Sequence, residues 1–161
     1  MNKGMTNKRG FPLFIVIFDG TSNKDYFRKT KTLLWGEDMA TAGSCKWVIP
    51  DGYYPPTSAG NIYISHESIC VLNTDQIDAK IQVTLYFEDR EKMDGFEVEC
   101  KAERTHHIRM DKLKNKDSKG VPMGVPYAMM VESNIEIVVQ YTRLDTTQSE
   151  MSLMTAMAYP L

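Results

Sequence analysis

A chain of 161 residues is long enough to bury a core and short enough for one domain with an arm attached. Its 42% hydrophobic and 25% charged residues are those of a globular protein, and a formal net charge of −2 gives no electrostatic ground for nucleic acid or an anionic membrane as main partner. The three cysteines, Cys45, Cys70 and Cys100, contain no CxxC pair, which argues against a disulfide framework or a zinc knuckle. Each lies in an apolar, strand-like context, so buried reduced thiols are expected.

The first 44 residues read as a short αβ extension and linker, separate from the domain at 45–161. "FPLFIVIF" (11–18) is β-prone, and "TSNKDYFRKTKTLLW" suits a short helix with Ser22 as N-cap and Asp25 three residues on. The apolar run falls well short of the ~20 residues of a membrane span. "DGTSNKD" follows it instead of a small-residue cleavage site, so no leader is expected and the cytoplasm is the expected location. "FDGT" (18–21) lacks the leading aspartate of a phosphatase-type loop, with Val16 and Ile17 before it.

From Lys46 onward the pattern is all-β. "KWVIP" is a short strand, and "DGYYPPTSAG" a loop whose two prolines oppose regular pairing. "NIYIS" and "ESICVLNT" flank the polar block Ser65-His66-Glu67-Ser68, which reads as a bend between two strands. "AKIQVTLYFED" places Ile81, Val83, Leu85 and Phe87 on one face and Lys80, Gln82, Thr84 and Tyr86 on the other. "DGFEVECKAE" alternates through Phe96, Val98 and Cys100. "HHIRM", "YAMMVESN" and "IEIVVQYTRLD" supply three further strands. "SEMSLMTAMAYP" is a short helix or a last strand, its apolar side set against the core or another subunit. Strands of this length, with a turn signal about every 10 residues, mean a single antiparallel β-sandwich or a barrel.

No constellation demands catalysis. His66 and Glu67 are adjacent and so point to opposite faces of a strand. No G-x-S-x-G elbow or P-loop ending is present, and no metal or cofactor is expected. An enzyme using His66, Glu67 or His107 as general acid or base is the alternative, and a purely structural oligomeric subunit is another. Polar groups in apolar surroundings are more telling: Arg104, Thr105, His107 and Arg109 in "AERTHHIR", and Gln140, Thr142, Arg143 and Asp145 in "VVQYTRLD". A glutamine within "IVVQYT" either completes a hydrogen-bond network or lines a pocket. With Trp47 and Tyr53 as flat surfaces, the inventory suits a small polar or sugar-like ligand.

Four segments in register, "WVIPDGYYPP", "ISHESICVLN", "RTHHIR" and "IVVQYTRLD", resemble the sensory rhodopsin transducer family over roughly 45–160. Residues 1–40 lie outside the resemblance, and Met39 is where a chain of family length could begin. The resemblance implies a jelly-roll-like β-sandwich assembled as a homotetramer. It implies a signalling or ligand-binding role without a catalytic step, with a membrane photoreceptor or another signalling protein as partner. By position it carries a ligand site over to Trp47, Ser65, His66, Glu67, Arg104, Thr105, His107, Gln140, Thr142, Arg143 and Asp145. Tyr141 departs from the pattern, standing where the resemblance leads one to expect histidine, and tyrosine does not titrate near neutrality. His66 and Glu67 are expected near Arg104 and Arg143.

Overall fold

The computed structural model describes residues 5–6, 12–13, 42–58 and 63–161. The chain divides into two compact units, Met1–Met39 and Ala40–Leu161. In the first, β1 (Met5–Thr6) pairs antiparallel with β2 (Pro12–Leu13). The expected helix and most of the β-prone run lie outside the described residues.

The second unit is an antiparallel sheet of eight strands. In chain order they are β3 (Ser44–Tyr53), β4 (His66–Asn73), β5 (Ala79–Tyr86), β6 (Met93–Cys100), β7 (Arg104–Arg109), β8 (Pro126–Asp145), β9 (Ser152–Met157) and β10 (Tyr159–Pro160). One short 3₁₀ turn, Met110–Lys112, follows β7. Strand β8 organises everything. Its first half lies between β3 and β5, giving the order β10-β3-β8-β5-β6. Its second half lies between β4 and β9, giving β7-β4-β8-β9. The two layers of the sandwich therefore share one strand that turns from one sheet into the other.

Period-2 alternation decides what the layers enclose. From the first sheet Trp47, Ile49, Ile81, Val83, Leu85, Phe96, Met129 and Val131 point inward, and from the second Ile69, Val71, Ile108, Ile137 and Val139. Burying each large aliphatic side chain contributes about 1.5–3 kcal/mol. The inward set of β5 and the Phe96 and Cys100 positions of β6 are those read from the sequence, and Val98 is half-buried.

The corner in β8 has a visible cause. Between Ser44↔Ile137 and Lys46↔Glu132, β3 advances two residues while β8 advances five, so Ser133 to Glu136 bulge out. Pairing with β5 ends at Ser133, and pairing with β4 begins at Val138. The indole of Trp47 stitches the bulge by donating to the carbonyls of Ile137 and Ser44, each at 2.9 Å.

Four expectations need correction. The "SHES" block is no bend: His66, Glu67 and Ser68 begin β4, and residues 63–65 of the predicted "NIYIS" strand are not in a strand. His66, Glu67 and Ser68 each find a partner on β8, so pairing holds them extended. "YAMMVESN" and "IEIVVQYTRLD" form one strand, because Asn134 bulges within β8 without ending it. The C-terminal segment is two strands, and all six residues of β9 are exposed, so its apolar side does not join the core. Among the cysteines, all free, only Cys100 is buried; Cys70 is half-buried and Cys45 exposed.

Candidate functional site

The alternation that buries Ile69 and Val71 also turns Glu67 inward, where it is 0% exposed. An unpaired buried carboxylate costs several kcal/mol, so its partners matter. The hydroxyls of Tyr127 and Tyr141 both donate to it in short hydrogen bonds. The Tyr53 backbone N–H donates at 2.5 Å and Arg143 Nε at 3.1 Å. Three of these donors, Tyr53, Tyr141 and Arg143, converge on Oε1, and Tyr127 alone reaches Oε2. Tyr127 and Tyr141 lie in opposite halves of β8, and fourteen residues of straight strand would separate them by roughly 46 Å. Their convergence on one carboxylate requires the corner in β8, and the cluster joins both sheets.

The cluster opens outward through Arg143. Its guanidinium lies 5.8 Å from the Tyr141 ring centroid and reaches Asp51 Oδ2 at 3.4 Å. The Arg143 side chain is 18% exposed and that of Asp51 is 73% exposed, so Asp51 marks the solvent end. Gly52, between Asp51 and Tyr53, leaves room for a ring: a Cβ there would come within 2.6 Å of Tyr127.

Burial pushes the phenols of Tyr127 and Tyr141 well above their ordinary range, and the hydrogen bond and charge of Glu67 add to it. The unfolded chain ionises first, near pH 10. Their contribution to stability is therefore whole below about pH 10 and is lost as pH rises further, by about 1.4 kcal/mol per pH unit per tyrosine. Urea unfolding between pH 8 and 11.5 should show that fall, and Tyr127→Phe should flatten it. An unchanged slope in the variant would remove Tyr127 from this role.

The sheet separates the other candidates. Glu67 and Arg143 are directly opposite and share the inner face. Ser68 with Thr142 and Arg109, and Cys70 with Gln140 and His107, share the outer one. His66 is also outward, opposite Leu144, with Nδ1 bonded to the Ile64 carbonyl at 2.8 Å. His66, Glu67 and His107 thus do not converge on one face. Arg104 and Thr105 pair with Asn73 and Leu72 at the far end of β4, roughly 20 Å along the strand from Glu67. Of the two expected arginines, Arg143 meets Glu67 and Arg104 does not. Trp47 is buried and offers no stacking surface.

Two candidates secure chain ends. Ser65 Oγ and Thr146 Oγ1 lie 3.0 Å apart, and the Thr146 N–H donates to Ser65 Oγ at 2.9 Å, tying the entry of β4 to the exit of β8. Asp145 accepts from the Thr147 hydroxyl and N–H, which hold its carboxyl below the usual range. Sequence reasoning missed Tyr127, Tyr141 and Asp51 as members of the cluster. It also missed Asn73, whose buried amide donates to the carbonyls of Ile77, Cys100 and Lys101. Among the described residues, no group of three His, Cys, Asp or Glu is placed to hold a metal ion, and no helix is long and apolar enough to cross a membrane.

Fold and site together define an all-β, antiparallel sandwich locked around a buried carboxylate held by four donors. The profile of the family described as Anabaena sensory rhodopsin transducer matches residues 42–160. Among solved structures, the Thermotoga maritima 1070 crystal structure is 39% identical, with a TM-score of 0.67, covering 74% of this chain and 97% of that one. The Anabaena sensory rhodopsin transducer is 38% identical, with a TM-score of 0.59, covering 68% and 96%. No curated protein matches. The chain belongs to the sensory rhodopsin transducer family.

Proposed function

We propose that the chain is a cytoplasmic signalling module that assembles as a homotetramer, binds a small polar, sugar-like metabolite and relays its state to a protein partner. A membrane photoreceptor or another signalling protein would fill that last role, and the chain would contribute no catalytic step of its own. Family membership supports the class. The observation that carries the reading is strand β9. Among the described residues it pairs on one side only, with β8, and "SLMTAM" contains no charge and no proline. Edge strands left to solvent are normally blunted by such residues. Leu153 is 70% exposed and Met157 59%, and Leu72 is exposed on the same outer face. An uncharged edge with flexible methionines suits a second strand laid against it.

The state of Glu67 supports binding over catalysis. The carboxylate is 0% exposed and held by Tyr53, Tyr127, Tyr141 and Arg143, so a substrate proton has no path to it from solvent. The Arg143–Asp51 pair is the part of the cluster that a polar solute can reach.

Sedimentation equilibrium tests the assembly. The full chain should sediment at about four times its 18.4 kDa, and Thr155→Lys, a charge in the middle of β9, should give smaller species with little change in melting temperature. A wild-type monomer at tens of micromolar, or a Thr155→Lys variant of unchanged mass, would overturn this use of β9.

A further inference from the structure

The outer face of the first sheet carries a cleft of about 730 Å³ lined from β5, β6 and β8, and its lining shares no residue with the Glu67 cluster. Strand register fixes what faces it. Gln82 lies between Glu97 of β6 and Glu132 of β8, and Lys80 lies opposite Glu99. Each glutamate is paired with a lysine: Glu97 with Lys116 at 2.8 Å, Glu132 with Lys46 at 2.9 Å, and Glu99 with Lys101. Lys101 is shared between Glu99 and Asp78, whereas Glu97 and Glu132 each have a lysine of their own, and all three glutamates keep lone pairs to accept hydrogen bonds.

Lys80 differs. Asn134 Oδ1 accepts from its backbone N–H at 2.6 Å, but its ammonium has no ion pair among the described residues. The Gln82 side-chain amide, a donor and an acceptor together, also makes no hydrogen bond among them. The floor thus offers a lysine and an amide without a side-chain partner among the described residues, and several acceptors, in a space within the roughly 300–1,000 Å³ of small-molecule sites.

We propose that this cleft binds a small polyhydroxylated carboxylate, with the anionic group on Lys80 and hydroxyls on Gln82, Glu97 and Glu132. A hydroxyl both donates and accepts, which is what an amide flanked by paired carboxylates can satisfy. A cationic ligand would have to displace lysines from the glutamates. A bare inorganic anion would meet Lys80 but leave the carboxylates facing it. The inference rests on the small-ligand part of the function proposed above and gives it a site and a chemical class.

Isothermal titration of the full chain with D-gluconate, and with D-glucose as the neutral control, tests it. Gluconate should bind at least about tenfold more tightly than glucose. Lys80→Met, on an exposed side chain, should weaken gluconate by about tenfold or more without lowering the melting temperature, and Lys112→Met, in the 3₁₀ turn and not in the cleft lining, should leave it unchanged. Gluconate binding that survives Lys80→Met but fails in Asp51→Asn would move the ligand to the Arg143 mouth, overturning this site while keeping a ligand-binding module. Equal binding of both probes, indifferent to Lys80, would overturn the anionic class. Binding of neither would overturn the site itself, whereas the assembly is judged separately by sedimentation.

Discussion

Glu67→Ala is expected to remove about 3–5 kcal/mol of stability, a large share of the ~5–15 kcal/mol that holds a domain together. The reason is what remains. The Arg143 guanidinium loses its carboxylate, the Tyr127 and Tyr141 hydroxyls lose their acceptor, and the Tyr53 N–H is left facing a void. Removing one partner from a buried charged network costs more than the network contributes net, because the other groups stay desolvated. Tyr127→Phe removes one donor to a charged acceptor and should cost about 1.5–3 kcal/mol. Glu67→Gln keeps the volume but turns an amide donor toward groups that already donate, so it should lose most of what alanine loses. Urea unfolding of the three variants separates the cases. A Glu67→Ala loss below about 1 kcal/mol would mean that the cluster is not a lock. Near-wild-type stability of Glu67→Gln would mean that shape, and not acceptor chemistry, is what position 67 supplies.

Gly43→Ala is expected to cost about 3 kcal/mol or more, through the corner of β8. Gly43 has φ +134°, a conformation that side chains rarely adopt, and an added methyl would overlap the Ile137 carbonyl and come within 2.5 Å of its carbon. That obstacle is backbone, held by Trp47 on the Ile137 carbonyl and by the pairing of Ser44 with Ile137, so it cannot swing aside. Relief requires opening the bulge that lets one strand serve two sheets. Gly120→Ala is the control: its φ is not in the strained region and the nearest atom is 3.8 Å away, so the change should stay within about 0.5 kcal/mol. Equal urea midpoints for the two variants would defeat the assignment of Gly43 to the corner.

Both effects depend on residues that the sequence displays but does not connect. Counting by twos from Ile69 and Val71 puts Glu67 inward and His66 outward. The same count from Val139 puts Tyr141 and Arg143 inward and Gln140 and Thr142 outward. Strings such as "SHES" and "QYTRLD" carry residues of both faces of the sheet, so a place in one of them does not say which residues meet. Tyr141, noted only as a departure from the expected histidine, proves to be a ligand of the buried carboxylate. Tyr127 carries no signal of its own, since nothing in "GVPYAMM" shows that its ring will cross to another strand.

By itself the sequence determined the class: an all-β chain from about residue 45 onward, the inward rows of β5 and β6, and membership of the transducer family. Alternation is local, being written in the pleat of each strand, and four motifs in order are enough to mark a lineage. Only the tertiary structure decided that two predicted strands are one, that Trp47 is a core residue, that β9 is an uncharged edge, and which polar residues meet. Register and the corner of β8 arise from contacts between residues far apart in the chain. No window of sequence contains Tyr53, Glu67, Tyr127, Tyr141 and Arg143 together, and the buried charge of Glu67 is tolerated only where its four donors converge.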